Sequence, residues 1–312
     1  MAMKKKAYLV ILALYFWAGS HVIAQQEPIY SMYYFNPVVV NPAYAGSLDY
    51  MQTVASFRRQ WTNFPGSPST AVFSANAPFK KNPASGWGLN FLNDRIGNIR
   101  VNGLSGIYTY KINFDKSKLA FGLQSAINNF GVDFSESRLS SSNTFDEAFS
   151  QNISSWHLNF GAGVFWYSDR WYAGLGIPHL RAHRIGSKDQ SEGSEAKQRA
   201  IYMLSGGYVV ELNEEWRIKP SLLFRIPSGA PMQADIYTNG YFRDIFSFGI
   251  GYRTRSGIQL VGETKIIKNL RLGYAFDQAL SRLGGQAGGT HEIILRYDIP
   301  LESSTEINHR IF

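Results

Sequence analysis

The chain has no cysteine, few charged residues and, beyond its first two dozen positions, no long apolar run. Each shortage closes off a class of protein. Without cysteine there are no disulfides, thiolate metal sites, cysteine nucleophiles or lipid-modified cysteine anchors. After residue 24 no stretch approaches about 18 consecutive apolar residues, so no helix is expected to span a membrane. Charge is not concentrated either: 31 Lys and Arg face 23 Asp and Glu along the chain, and a nucleic-acid partner is not indicated.

The first residues have the three-part pattern of an export signal. Lys4, Lys5 and Lys6 precede an apolar run from Ala7 to Gly19, and Val22 and Ala24 put small residues before a cut at Gln25. That run is about 13 residues, against roughly 20 for a spanning helix, so a cleaved signal over 1–24 is predicted rather than an anchor. Its removal takes three lysines and no acid, and the formal charge falls from +8 to +5.

What is abundant is aromatic and small: 15% aromatic residues and 29 glycines against 17% charged. Aromatics and glycines in short alternating runs suit a membrane β-barrel, whose outside meets lipid and whose inside meets water. The dominant period after residue 48 is two, which sends successive side chains to opposite faces of a strand. Phe246, Phe248, Ile250 and Tyr252 interleave with Ser247, Gly249, Gly251 and Arg253. Leu270, Leu272, Tyr274 and Phe276 alternate with Arg271, Gly273, Ala275 and Asp277. Trp156, Leu158, Phe160, Ala162, Val164 and Trp166 face away from His157, Asn159, Gly161 and Gly163.

About fourteen such segments are predicted, starting near Tyr50, Ala71, Gly86, Ile99, Lys118, Ser155, Trp171, Ala200, Trp216, Met232, Ile245, Gly257, Leu270 and Thr290. An even number suits a bacterial single-chain barrel. Pro220 interrupts one segment and predicts a bulge or a wall position near the rim. The loops sort by parity. The longest, 59–69, 128–154 and 179–199, fall on one side, and short turns such as 115–117, 168–169 and 268–269 on the other, although 78–85 reads as a moderately long loop on the short-turn side. Long outer loops and short periplasmic turns are the asymmetry of outer-membrane barrels. Trp87, Tyr108, Trp156, Trp166, Trp171 and Trp216 at strand ends fit aromatic girdles, or the core of a soluble β-protein. The fold class expected is therefore all-β: a transmembrane antiparallel β-barrel over 48–300, an N-terminal extended segment outside the wall over 25–47, and a periplasmic tail over 301–312.

Several segments, in order, resemble the PorP/SprF family of outer-membrane proteins associated with type IX secretion and gliding motility. They are Pro28-Ile-Tyr-Ser-Met-Tyr-Tyr-Phe-Asn-Pro37, Asn41-Pro-Ala-Tyr-Ala-Gly46 and Phe57-Arg-Arg-Gln-Trp-Thr-Asn-Phe-Pro-Gly-Ser-Pro68. Gly86-Trp-Gly-Leu-Asn90, Asn93-Asp-Arg-Ile-Gly97, Ala173-Gly-Leu-Gly-Ile-Pro-His-Leu180 and Trp216-Arg-Ile-Lys-Pro-Ser221 follow. Gly229-Ala-Pro-Met-Gln-Ala-Asp235, Gly251-Tyr-Arg-Thr254, Gly273-Tyr-Ala-Phe-Asp277 and His291-Glu-Ile-Ile-Leu295 close the set. Phe276 departs from the tyrosine expected in that family's Tyr-Asp pair. The resemblance implies an outer-membrane location and a role in exporting cell-surface proteins, especially large adhesins, or in retaining them at the surface. It implies as partners other secretion and gliding subunits, an adhesin-like client and a periplasmic peptidoglycan-binding lipoprotein. It brings no catalytic residues and no cofactor.

Two groups of residues are candidates for function. The first is the N-terminal segment with Tyr30, Tyr34, Asn36, Pro37, Asn41, Pro42, Tyr44 and Gly46. Its prolines lack the N–H a ladder needs, so it lies outside the wall, either as a partial plug of the lumen or as a periplasmic leader to the first strand. The second is Arg58, Arg59, Trp61, Phe64 and Pro65 at the outer rim, where arginine and tryptophan suit protein contact, within the chain or with a partner. Gripping anionic lipopolysaccharide is the alternative. The histidines offer no enzyme. His157 beside Asn159 is read as lacking a serine at useful spacing, His291 and Glu292 point to opposite faces, and His179 and His183 border an outer loop with too few further ligands for a metal. Asp133, Glu136, Asp146 and Glu147 read as a solvated acidic stretch, with a weak Ca²⁺ contact as the alternative. The function expected is a secretion accessory barrel; a passive or ligand-specific channel is the second reading, and a hydrolase the third.

Overall fold

The computed structural model describes residues 30–133, 152–180, 183–185, 196–198, 200–280 and 284–301. The expected signal peptide, residues 25–29, the acids Glu136, Asp146 and Glu147, and all but Leu301 of the expected tail lie outside them.

Alternation of bulky and small or polar residues becomes strand almost throughout. The strands are β1 (Met51–Arg59), β2 (Ser69–Phe79), β3 (Asn82–Ile96), β4 (Ile99–Asn113), β5 (Lys118–Val132), β6 (Ile153–Tyr167) and β7 (Trp171–Ile177). There follow β8 (His183–Ile185), β9 (Ala196–Gln198), β10 (Ile201–Tyr208), β11 (Val210–Glu211), β12 (Trp216–Pro227) and β13 (Gln233–Phe242). The last four are β14 (Phe246–Arg253), β15 (Gly257–Ile267), β16 (Leu270–Ala279) and β17 (Thr290–Ile299). β1 to β7 pair antiparallel in sequence order, as do β12 to β17; β1 pairs with β17, and β10 pairs with both β7 and β12. The sheet therefore closes into a cylinder of fourteen strands. β11 prolongs β10 in the same register, and β8 and β9 form a separate hairpin in the loop after β7.

The break between β10 and β11 has a local cause. Continuing the register puts Tyr208 opposite Pro220, which has no N–H to donate, and the ladder resumes at Val210 opposite Ile218 without a shift. Pro220 thus marks a missing rung in the wall and not a bulge.

The strand faces separate cleanly. β14 alternates exposed and buried at every position, with Phe246, Phe248, Ile250 and Tyr252 outward and Ser247, Gly249, Gly251 and Arg253 inward. The same holds around the cylinder, where Leu104, Leu123, Leu158, Ile236, Phe248 and Ile293 stand out from the wall with about half or more of their surface exposed. In water such a belt would be untenable; in a bilayer it is the required surface. Among the described residues no helix is long and apolar enough to cross a membrane.

Every turn at the end holding Asn113 and Tyr167 is short, as the parity of the loops predicts. The loop expected over 78–85 contracts to Lys80 and Lys81, because β2 runs on through Phe79 and β3 starts at Asn82. A register shift between Pro78 and Phe79 absorbs the proline that made the segment read as loop. We call this end inner and the opposite end outer. The strands β3 to β6 have 15 residues each, whereas β13, β14, β16 and β17 have 8 to 10. One side of the cylinder is accordingly taller than the other.

Candidate functional site

The chain's own N-terminal segment lies inside the lumen. Residues 31–36, 38 and 40–48 are buried, and their contacts run down the inside of the wall from its outer to its inner end. At the top, the Tyr30 carbonyl accepts from Arg253 Nη2 at 2.9 Å and Arg225 Nη2 at 3.4 Å. Ser31 sits in a buried charge cluster: its N–H donates to Glu292 Oε2 at 2.7 Å, its hydroxyl donates to Asp277 Oδ2 at 2.5 Å, and Arg58 donates to that hydroxyl. Arg58 also bridges Asp277 at 2.7 Å and Glu292 at 3.1 Å, while Asp235 takes Arg225 at 2.8 Å and Arg253 at 2.9 Å. Buried ions are tolerable only when paired and hydrogen-bonded, and this cluster spends its pairs on holding two residues of the segment.

Below the charges the contact becomes aromatic. Tyr33 and Tyr34 pack on Tyr237 with ring centroids 5.7 Å apart in both cases, Lys219 Nζ lies 5.2 Å over the Tyr34 ring, and Arg296 stacks 5.2 Å over Phe35. Burial lifts the Tyr33 and Tyr34 phenols well above their ordinary range, so both stay neutral. Prolines then set two 3-10 turns, Pro37–Val39 and Pro42–Tyr44, each with proline in the first turn where a missing N–H costs nothing. Asn41 caps the second turn, its Oδ1 accepting from Ala43 N at 3.0 Å, and its Nδ2 donates to the Val164 carbonyl at 2.9 Å. Asn36 accepts from Ser74 Oγ at 2.9 Å. Near the inner end Thr109 Oγ1 reaches the Ala45 carbonyl at 2.8 Å, Lys111 Nζ the Gly46 carbonyl at 2.5 Å, and Asn76 Oδ1 the Gly46 N–H at 3.2 Å.

Glycines make this fit possible. A Cβ at Gly122 would strike Ala43, one at Gly163 would strike the Asn41 side chain, and one at Gly176 would strike the Val40 carbonyl. Here glycine permits close approach of two backbones. Gly46 itself has φ +67°, and a side chain there would strike Gly86 and Ala77. The inward face beside these residues meets protein, where the sequence suggested water. Of the two placements open for the segment, the described residues occupy the lumen.

The outer-rim candidates do not share one face. Arg58 points inward and belongs to the clamp on Ser31, whereas Arg59 is exposed on the outside of β1. Trp61, Phe64 and Pro65 lie in the loop between β1 and β2, exposed, on a backbone tied down from both sides. Thr62 N donates to the Gly289 carbonyl at 3.2 Å, Asn63 N to the Ala287 carbonyl at 3.2 Å, and Gly97 N to the Gly66 carbonyl at 3.0 Å. Trp61 adopts φ +50°, a left-handed conformation that a bulky residue keeps only where its surroundings impose it.

Several residues that hold the segment were not singled out as a site by the sequence reading: Ser31, Arg225, Asp235, Tyr237, Arg253, Asp277 and Glu292. The available signal was that the charged members all fall at inward positions near the outer ends of their strands. One histidine reading needs correction. Ser155 stands two residues before His157 on the same face, with its Oγ 2.9 Å from His157 Nε2, so a serine does lie at hydrogen-bonding spacing. Asn159 Oδ1 meanwhile accepts from Phe160 N at 2.8 Å. Asp94 turns inward and accepts from Thr70 Oγ1 at 2.5 Å, and Asp133 lies 3.6 Å from Arg100. Among the described residues no cluster of three or more potential ligands could hold a metal.

A family model described as type IX secretion system membrane protein PorP/SprF matches residues 22–297 of the chain. No curated protein matches it. Among solved structures, a Pseudomonas aeruginosa FadL homologue is similar over 87% of this chain and 95% of its own, at 13% identity and TM-score 0.47. The Ralstonia pickettii toluene transporter TbuX is similar over 84% and 92%, at 10% identity and TM-score 0.48. The Acinetobacter baumannii outer membrane protein Omp33 is similar over 81% and 100%, at 9% identity and TM-score 0.46.

Proposed function

Because the chain belongs to the PorP/SprF family of type IX secretion system membrane proteins, we propose that its barrel assists the export or surface retention of adhesin-like proteins through protein contacts at its rims. It is an outer-membrane β-barrel associated with type IX secretion, and the other subunits of that system are its partners. The observation that supports the finer reading is the N-terminal segment lying inside the barrel. With residues 31–48 held along the inside of the wall, the bore is partly taken up by the chain itself, which argues against passage of an unfolded client through it. What remains for a client is the outer surface, where Trp61, Phe64 and Pro65 stand on a loop already fixed by its neighbours. A fixed loop loses little conformational entropy on binding, which favours its aromatics as contact residues. At the inner rim the proposed partner is a periplasmic peptidoglycan-binding lipoprotein. The proposal gives the chain no chemical step to perform.

Replacing both Trp61 and Phe64 by alanine tests the client contact. Surface proteomics of cells carrying the variant should show an adhesin-sized protein lost from the surface at unchanged barrel abundance. An unaltered surface proteome would remove the outer loop from the reading. Stable conductance of the intact protein in planar bilayers would favour the channel alternative instead.

A further inference from the structure

On the outside of the wall, β6 presents Phe160, Ala162, Val164 and Trp166 in succession, on the face turned away from the lumen. Ala162 and Val164 are shorter than the rings above and below them, which leaves a dip in the lipid-facing surface. The registers supply its sides. Leu123 of β5 and Ile177 of β7 stand opposite Ala162, and Phe121 and Leu175 stand opposite Val164. Residues opposite each other in antiparallel strands share a face. Tyr108 and Tyr110 of β4 continue the β5 side, and the Tyr108 hydroxyl is already taken up by Ser85 Oγ at 3.1 Å. The result is a slot of about 420 Å³, walled by hydrocarbon and aromatic ring and within the roughly 300–1,000 Å³ of small-ligand sites.

The floor of the slot is a single layer of backbone. Gly122 and Gly163 face each other across β5 and β6 and line the slot from outside. On their lumen side the N-terminal segment packs directly against them, Ala43 on Gly122 and Asn41 on Gly163. Slot and segment thus occupy the two faces of one pair of glycines.

Depth selects the occupant. Ala162 lies five residues and Val164 three above Tyr167, the inner end of β6. That is about 10–17 Å of strand, or roughly 8–13 Å along the axis at a tilt of about 40°, which reaches the middle of an apolar band of about 25 Å from its inner side. Directly below, Trp166 and Trp171 meet edge to face with ring centroids 5.0 Å apart, and Trp166 Nε1 donates to Ser117 Oγ at 3.1 Å. Tryptophans at such a level mark the boundary between headgroups and hydrocarbon. The slot therefore opens into the acyl region of the inner leaflet.

We propose that the slot binds one acyl chain of an inner-leaflet phospholipid, whose headgroup rests at the level of Trp166 and Trp171. A lipid tail gains nothing by hydrophobicity on leaving bulk hydrocarbon, so packing has to hold it. The slot sets wall atoms beneath the chain and on both sides of it, where a smooth stretch of belt offers them on one side only. Its long axis follows β6, which suits a linear chain. The convex wall of a second barrel would bridge the slot without filling it.

The test is native mass spectrometry of the full-length barrel in detergent, titrated with diacyl phosphatidylethanolamine and with glycerophosphoethanolamine, the same head without chains. Wild-type protein should retain one diacyl lipid at concentrations where the chainless head neither binds nor competes. Ala162→Phe, which fills the floor, should weaken that retention about tenfold, and Leu123→Ala, which lowers one side, about threefold. Thr238→Phe adds the same ring to the outward face of β13, four strands round the wall from β6, and should leave retention unchanged. A heat-induced shift in gel mobility reports folding, and Leu123→Ala decides the matter if Ala162→Phe does not fold. Undiminished retention by the folded slot variants would reduce the lipid to an unspecific annulus and overturn the site, as would competition by the chainless head. A barrel dimer that Ala162→Phe dissociates would assign the slot to a second copy and overturn it too.

Discussion

At the scale of single residues, the protein separates neighbours that look alike in sequence. Arg58 and Arg59 are adjacent and chemically identical, yet the pleat sends one to a buried clamp and the other to the outer surface. Arg58 joins Asp277 and Glu292 around the Ser31 hydroxyl and N–H, so its loss leaves Glu292 buried without its cation and Asp277 with Arg253 alone, 3.8 Å away. Removing one member of a buried pair costs about 3–5 kcal/mol. Arg58→Ala should lower the denaturation midpoint of the folded barrel accordingly, and adding Asp277→Asn and Glu292→Gln should recover part of the loss. A variant as stable as the parent would mean that the clamp contributes nothing net. Arg59→Ala, by contrast, should leave the midpoint nearly unchanged.

At the scale of elements, the N-terminal segment behaves as a part and not as a leader. Its cohesion comes less from its own hydrogen bonds than from the wall, through the charge clamp above, tyrosine packing midway and the glycine-lined approach below. Deleting residues 31–46 should give the barrel a conductance in planar bilayers that the intact protein lacks. Gly163→Leu, which drives a side chain into Asn41, should do the same to a smaller degree. A deletion variant that conducts no better than the parent would show that something else seals the lumen. The strands were the most legible elements, because period two survives on a surface that alternates between lipid and interior. The predicted start at Tyr50 stands one residue from Met51, and those at Ile99, Lys118, Trp171, Trp216, Gly257, Leu270 and Thr290 coincide with the observed ones. The turn at Lys80 and Lys81 was obscured by Pro78 and Pro83, which read as breakers although the sheet accommodates both. The segment's location was not legible. Alternation reveals that a strand has two environments, but not which molecule fills the inner one. Gly122, Gly163 and Gly176 carried the clue, since an inward face of glycines invites another backbone to approach.

At the scale of the whole molecule, the uneven wall gives the cylinder a direction and a front. The tall side built by β3 to β6 carries Arg95 and Arg100 toward its outer end, opposite the shorter strands β13 and β14. The barrel's closure has its own geography. The first and last strands meet along β1 and β17, and the groups gripping Ser31 come from both banks of that junction: Arg58 from β1, Glu292 from β17, and Asp277 from β16 next door. The polypeptide is thus its own fastener. Its earliest described residues lie across the join that its final hairpin completes, so the seating of the N-terminal thread and the closure of the tube stabilise one another. A barrel closed with the thread outside would hold Arg58, Asp277 and Glu292 at its seam with no Ser31 between them.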